Sequence, residues 1–244
     1  LDDIPAAGKR MAGRKYHHNI TQAGQWQAAV QGYLAAINYA DDLTGMVLDA
    51  LANSEYADNT IVVVYSDHGW QLGEKQHWRK FALWENVIKS VLMVKAPKDL
   101  LGESAERARG SVSNRNVSLM DIFPTLTELC GLPDKEGLNG RSLIPLLKNP
   151  NADDGSRPIV TMHTWEHFSI RKDDWHYIAY GDGSAELYNL AKDPEEWKNL
   201  ANDPQYAPEI EALRQHIPKQ RKEFTKTDPI RWADVLSAKT KMYL

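Results

Sequence analysis

Ile61-Val62-Val63-Val64-Tyr65-Ser66-Asp67-His68-Gly69-Trp70 is the stretch on which the fold turns. Its first five residues are all β-favouring. They lie between a polar turn at 53–59 and a glycine-bearing loop, the pattern of a strand buried on both faces of a parallel sheet. Upstream, Trp26, Val30, Tyr33, Leu34, Ile37, Leu43, Met46, Val47, Leu48 and Leu51 recur at helical spacing. They predict a long amphipathic helix from about Thr21 to Leu51, broken near Gly45. Helix, short loop, buried strand and glycine loop make an α/β unit. Downstream, Val91-Leu92-Met93-Val94 ends at Pro97 as a second central strand. Val117, Leu119, Ile122, Phe123, Leu126 and Leu129 form a short helix stopped by Gly131, and Gly140 to Leu147 is a loop entering another.

Asn149 to Arg157, rich in Asn, Asp and Gly, reads as a linker and divides the chain into 1–150 and 151–244. Beyond it Ile159–Trp165, Phe168–Ile170, Trp175–Tyr180 and Ala185–Tyr188 predict a small antiparallel sheet. Gly181-Asp182-Gly183 is a hairpin turn, and an amphipathic helix follows around Pro208 to Phe224. Residues 1–15 show no apolar periodicity and read as an extended entry segment.

The composition excludes several classes. In 244 residues, 29 Lys and Arg against 33 Asp and Glu leave a net charge of −4 with no basic run, which argues against a nucleic-acid or polybasic membrane surface. Hydrophobic residues at 42% and charged ones at 25% are globular values, so the chain is not disordered as a whole. The longest uncharged stretch, Tyr16 to Ala40, holds Asn19, Gln22, Gln25, Gln27, Gln31 and Asn38 and is too polar for a membrane span. A single cysteine, Cys130, excludes an intrachain disulfide and leaves the redox compartment open. The chain opens with Leu1-Asp2-Asp3-Ile4-Pro5, without a start methionine or apolar leader, which reads as a piece of a longer product.

Ligands of open α/β sheets gather at the carboxyl ends of strands. Here Asp67 offers a carboxylate oxygen and His68 a ring nitrogen to a divalent cation, while Gly69 permits a sharp turn. Lys75, Arg79 and Lys80 are suited to a tetrahedral anion. The same residues also read as a helix cap followed by a solvated face. From residue types alone the loop is an incomplete metal or anion site.

With Lys80 twelve residues past His68, Ser66-Asp67-His68-Gly69-Trp70-Gln71-Leu72-Gly73-Glu74 resembles the C-terminal metal-and-lysine motif of type I sulfatases, the formylglycine-dependent branch of the alkaline phosphatase superfamily. The Asp-His-Gly-Trp form resembles the iduronate-2-sulfatase-like branch. Tyr33 to Asp42 resembles the preceding helix, Asp121-Ile122-Phe123-Pro124-Thr125-Leu126 with Gly131-Leu132-Pro133 the family's DIxPTL…GLP stretch, and Gly140-Arg141-Ser142-Leu143 its GRSL. Ile170-Arg171, Trp175 to Ile178, Glu186 to Leu190 and Asp193 to Leu200 resemble its C-terminal subdomain, so the likeness runs from about residue 20 to 205.

The resemblance implies the C-terminal part of an alkaline-phosphatase-like mixed sheet flanked by helices, plus a small antiparallel-sheet subdomain with a C-terminal helix. It implies hydrolysis of sulfate esters, with Asp67 and His68 on a calcium ion (Mg²⁺ or another divalent cation fits the same ligands) and Lys80 as the catalytic residue on a sulfate oxygen. The family's nucleophile is a formylglycine made within Cys/Ser-x-Pro-x-Arg. Neither Cys130-Gly131-Leu132-Pro133 nor any serine here has that spacing. The nucleophile is therefore expected in an N-terminal portion of the same sulfatase, which becomes this chain's expected partner, and the chain alone is expected to be inert. Sulfated carbohydrate is the expected substrate, and a periplasmic, extracellular or lysosomal location the expected compartment.

Trp70 and His77, in the same loop, are candidate substrate contacts. So are His163 and His167, which with Trp165 share one face of a strand by their spacing of two. Cys130 reads as a small packing residue, His17 and His18 as surface residues, and Asp41 and Asp42 as a solvated helix edge or a cap. A phosphate- or phosphonate-ester hydrolase of the same superfamily and a catalytically silent binding module are the competing readings.

Overall fold

The computed structural model describes residues 1–13, 15–103, 108–153, 155–164 and 166–218. The entry segment is helical rather than extended: α1 (Ala6–Ala12) and α2 (Lys15–Gln22) precede the long helix. Seven residues are too few to show a periodic pattern, and α1 forms because Ala7 and Ala12 pack with Ile4, Leu83, Trp84 and Val87 in a buried cluster. The long helix α3 (Trp26–Ala52) runs unbroken for 27 residues. Gly45 causes no kink, since nothing lies within 4 Å of where its Cβ would stand and no packing forces a bend.

β1 (Val62–Tyr65) pairs with β4 (Leu92–Lys95), and the pairing is antiparallel, with Val63 opposite Val94 and Tyr65 opposite Leu92. The expected parallel neighbour is not found among the described residues. A run of β-branched residues encodes burial and strand propensity but not the direction of its partner. Tyr65 and Met93 are exposed, so this pair is not buried on both faces. Between its strands lie a short hairpin, β2 (Gln71–Leu72) with β3 (Trp78–Arg79), and α4 (Glu85–Ile88).

After α5 (Lys98–Leu101), two of the motif stretches hold each other. Ser118 and Asp121 form a reciprocal capping box ahead of α6 (Ile122–Leu129). The buried Asp121 also accepts from the Arg141 N–H at 2.9 Å and pairs with Arg157, while Thr125 Oγ1 accepts from the Leu143 N–H at 2.8 Å. Gly140 must be glycine, because a Cβ there would lie 2.0 Å from the Met120 carbonyl oxygen. α7 (Ile144–Lys148) follows.

The small sheet has the order β5 (Ile159–His163), β6 (His167–Lys172), β7 (Trp175–Ala179), β8 (Ala185–Asn189), all antiparallel. Its two faces differ. Phe168, Ile170, Tyr177 and Leu187 pack on Leu213 of α8 (Ala207–Arg214) in an apolar layer. Ile178, Tyr180 and Tyr188 face the other way, into one core with Ile4, Ala7, Leu83 and Trp84. Chain on both sides of residue 150 therefore shares a buried core. The expected helix from Pro208 to Phe224 is shorter: α8 ends at Arg214 and residues 215–217 are turn and bend, while 219–224 lie outside the described residues, as does Trp165.

Candidate active site at the carboxyl end of β1

β1 ends at Tyr65, and the chain turns at once. Ser66 Oγ donates to the His68 carbonyl at 2.8 Å, and the Gly69 N–H donates to the Val87 carbonyl at 2.7 Å. Gly69 admits no side chain: a Cβ would sit 2.1 Å from the Asn86 carbonyl oxygen and 2.4 Å from that of Lys89. This close approach presses the Asp67-His68 loop onto α4.

His68 is oriented by both ring nitrogens. Nδ1 lies 2.8 Å from the Gly69 carbonyl oxygen, an acceptor, so Nδ1 carries the proton. Nε2 then presents a lone pair, and Lys80 Nζ donates to it at 2.9 Å. Asp67 Oδ1 lies 3.4 Å from the same Nε2. The Asp67 side chain is 77% exposed and that of His68 27%, so the pair opens outward. A ring whose Nδ1–H is held by a backbone carbonyl while Nε2 faces a carboxylate has the outer-shell arrangement of a metal-ligating histidine. These two donors suit part of a divalent cation site. Calcium takes about six to eight oxygen ligands, and no group of three His, Cys, Asp or Glu able to hold a metal occurs among the described residues.

The loop carrying Lys80 is strained. Lys75, Gln76, Arg79 and Phe81 all have positive φ, between 53° and 80°. Such geometry in bulky residues persists only where surrounding contacts over-determine it. Tyr33 of α3 stacks on Trp70 at 5.8 Å, and Trp70 stacks on His68 at 6.2 Å. Trp26 meets Trp78 edge-on at 5.9 Å, and His17 joins this contact, accepting from Trp78 Nε1 at 3.3 Å. The long helix thus braces the loop through aromatic pairs.

His77 is placed differently from Trp70. It is buried, 6% exposed, and both ring nitrogens face backbone carbonyls, Ala12 at 2.7 Å and Lys80 at 3.0 Å. Neither nitrogen is left for a substrate. His163 and His167 lie on neighbouring strands as a cross-strand pair, not along one strand, with rings stacked at 6.3 Å. Phe81, 62% exposed, meets His163 edge-on at 6.5 Å, and Lys80 Nζ is 5.6 Å from the Phe81 ring centre. The histidine pair therefore adjoins the Lys80 loop. Burial, and then the neighbouring His167, hold the His163 imidazole below the usual histidine range.

Sequence reasoning missed a buried polar network between this loop and the sheet. Glu186, fully buried, accepts from Trp84 Nε1 at 2.9 Å, Tyr180 OH at 2.6 Å and Tyr188 OH at 2.5 Å. Burial, followed by the Glu186 charge, pushes both tyrosines far above the usual phenol range, so they remain donors. Lys75 Nζ donates to Tyr188 OH at 3.3 Å and to the Glu196 carbonyl, and burial holds its ammonium below the lysine range. Ser169 Oγ lies 2.7 Å from His176 Nε2, and His176 Nδ1 bonds the Glu196 carboxylate. This is a serine–histidine–carboxylate arrangement, but Ser169 and His176 are fully buried, so it serves packing rather than catalysis. β8 buries Glu186, Leu187 and Tyr188 in succession, so the alternation that marks an inward carboxylate is absent. A cleft of about 520 Å³ lies beside this network, lined by Trp26, Lys75 and Trp197; Asp67, His68 and Lys80 are not in its wall.

A sulfatase family profile matches residues 4–132, and one for the C-terminal region of N-sulphoglucosamine sulphohydrolase matches 73–223. The chain belongs to the sulfatase family. It is 36% identical to a sulfatase of Formosa agariphila over 90% of its own length and 42% of that protein's. It is 28% identical to an N-acetylglucosamine-6-O-sulfatase of Bacteroides thetaiotaomicron, over 84% of this chain and 38% of the relative. Among solved structures, one described as in complex with its substrate D-glucosamine-2-N,6-O-disulfate superposes with a TM-score of 0.63 at 25% identity, covering 78% of this chain and 40% of that one. The chain thus spans about two fifths of the length of these relatives. Its fold is the alkaline-phosphatase-like α/β arrangement of sulfatases, with the small antiparallel sheet and its helix at the C-terminal side.

Proposed function

We propose that this chain is the C-terminal portion of a sulfatase that hydrolyses sulfate esters on sugars, of the iduronate-2-sulfatase-like branch. The observation that carries the reading is the convergence of the Asp67 carboxylate, His68 Nε2 and Lys80 Nζ at the end of β1 in a sulfatase-family chain. Asp67 and His68 would hold a divalent cation, calcium by preference, beside ligands from the rest of the protein. When bound, that ion supplies positive charge next to the ester. Lys80 carries a positive charge of its own to the sulfate oxygens and stabilises the negative charge that develops as the S–O bond breaks.

Trp70, His163 and His167 are the proposed substrate contacts. The histidine pair and Phe81 give an aromatic, hydrogen-bonding wall next to Lys80, the chemistry that a sugar ring with hydroxyl groups requires. The relative solved with a glucosamine disulfate supports a sulfated amino sugar as the first substrate to try.

The formylglycine nucleophile belongs to the proposed N-terminal portion. α3 supports such a partner: it has no buried residue, and Leu34, Ile37, Tyr39, Met46 and Val47 are exposed. A sulfatase of this kind would work outside the cytosol, and among the described residues no helix is long and apolar enough to cross a membrane. The test is hydrolysis of an aryl sulfate and of glucosamine 6-sulfate, by this chain alone and with its N-terminal portion. Turnover only in the combined protein supports the reading. Turnover by the pure 244-residue chain overturns it.

A further inference from the structure

We infer that His77 is a positioning residue for Lys80, a clamp that holds the strained lysine loop against α1 so that Nζ reaches the site. The inference rests on the proposed role of Lys80. Four observations carry it. His77 is buried, and its two ring nitrogens reach backbone carbonyls from distant parts of the chain, Ala12 at the end of α1 and Lys80 itself. The Lys80 main chain lies between Arg79 at φ 80° and Phe81 at φ 73°, neither of which relaxes to that geometry unaided. The ring is fixed from the side by Trp84, edge-on at 6.1 Å, and Trp84 is tied to Glu186. Finally, Lys80 Nζ ends 2.9 Å from His68 Nε2, so a small shift of the Lys80 backbone moves the ammonium relative to both proposed cation ligands.

Each carbonyl only accepts, so a bond forms where the facing ring nitrogen carries a proton, and both ring nitrogens lie within hydrogen-bond distance of their carbonyls. Leucine in place of histidine keeps most of the buried volume and removes both ring nitrogens. The α1 terminus and the Lys80 carbonyl then lose their common tether, and the loop is free to relax toward ordinary φ values. Misplacing a catalytic group by about 1 Å costs on the order of 10²-fold in rate.

The experiment is a double-mutant cycle in the sulfatase containing this chain, with His77→Leu and Lys80→Ala alone and together, read as kcat and KM beside the thermal midpoint. His77→Leu is expected to lower kcat by about 10²-fold with little change in KM. Placed in the Lys80→Ala background it is expected to cost almost nothing further, because the group it positions is already gone. A purely structural residue would lower the thermal midpoint and the rate equally in both backgrounds, and that additive result overturns the inference while leaving the role of Lys80 intact. Full turnover by Lys80→Ala overturns the reading of Lys80 and this inference with it. His77→Gln, which keeps one donor, is the second variant. It is expected to lose less than leucine with the same non-additivity, and it decides the question if the leucine variant does not fold.

Discussion

Lys80 Nζ donates to His68 Nε2 at 2.9 Å, on the same nitrogen that Asp67 approaches at 3.4 Å. An ammonium and a divalent cation on one lone pair repel each other, so cation binding at His68 and the Lys80 contact compete. In the complete sulfatase, Asp67→Ala is expected to lose metal and activity together. Lys80→Ala is expected to retain metal, bound at least as tightly, and to lose roughly 10²–10³ in turnover, as for one preorganised oxyanion donor. Elemental analysis beside kinetics is the check; loss of metal from Lys80→Ala would place the lysine in the wrong role.

Gly69 faces two carbonyl oxygens with no room for a methyl group. Gly69→Ala is expected to push the Asp67-His68 turn off α4, at about 1–3 kcal/mol as an overpacking change. Stability to urea and metal affinity should fall together. An alanine variant with unchanged values for both would show that the loop tolerates the displacement.

Glu186 satisfies three buried donors. Glu186→Leu strands all of them and is expected to cost about 3 kcal/mol or more, since each unsatisfied buried group costs about 1–3 kcal/mol. Ser169→Ala strands the buried His176 Nε2 and should cost about 1–3 kcal/mol, with turnover of the complete sulfatase unchanged. A large loss of turnover there would mean that the buried triad takes part in the chemistry.

His163 is held below the usual histidine range by burial and by His167. The unfolded chain therefore binds a proton at higher pH than the folded one, and this residue's contribution to stability is present above about pH 6.5 and lost as pH falls through the lowered folded value. His163→Gln should flatten the fall in stability on the acid side. An unchanged pH profile of chemical denaturation would count against it.

The exposed apolar residues of α3, with Tyr65 and Met93 on the β1–β4 pair, predict that the chain alone associates with itself in solution. Light scattering after size exclusion is the measurement. A monodisperse monomer would remove the support these surfaces give to the proposed N-terminal partner.

Much of this molecule was readable from local pattern. The 3.6-residue spacing from Trp26 to Leu51 marks α3, and the strand-favouring residues on either side of Gly181-Asp182-Gly183 mark the β7–β8 hairpin. The residue types at the end of β1 offered Asp67 and His68 to a cation and Lys75, Arg79 and Lys80 to an anion, and the family resemblance singled out Lys80. Tertiary structure decided the rest. It made β1 and β4 antiparallel, turned Ala6–Ala12 into a helix through burial of Ala7 and Ala12, and paired His163 with His167 across two strands. It also sealed Glu186 and His176 inside and drew His77 away from solvent onto the Ala12 and Lys80 carbonyls. The division has a physical cause. Periodicity and turn chemistry act over a few residues, whereas the depth of a carboxylate and the direction of an imidazole are set by what packs against them: Trp84 is 102 positions from Glu186, and Ala12 is 65 from His77.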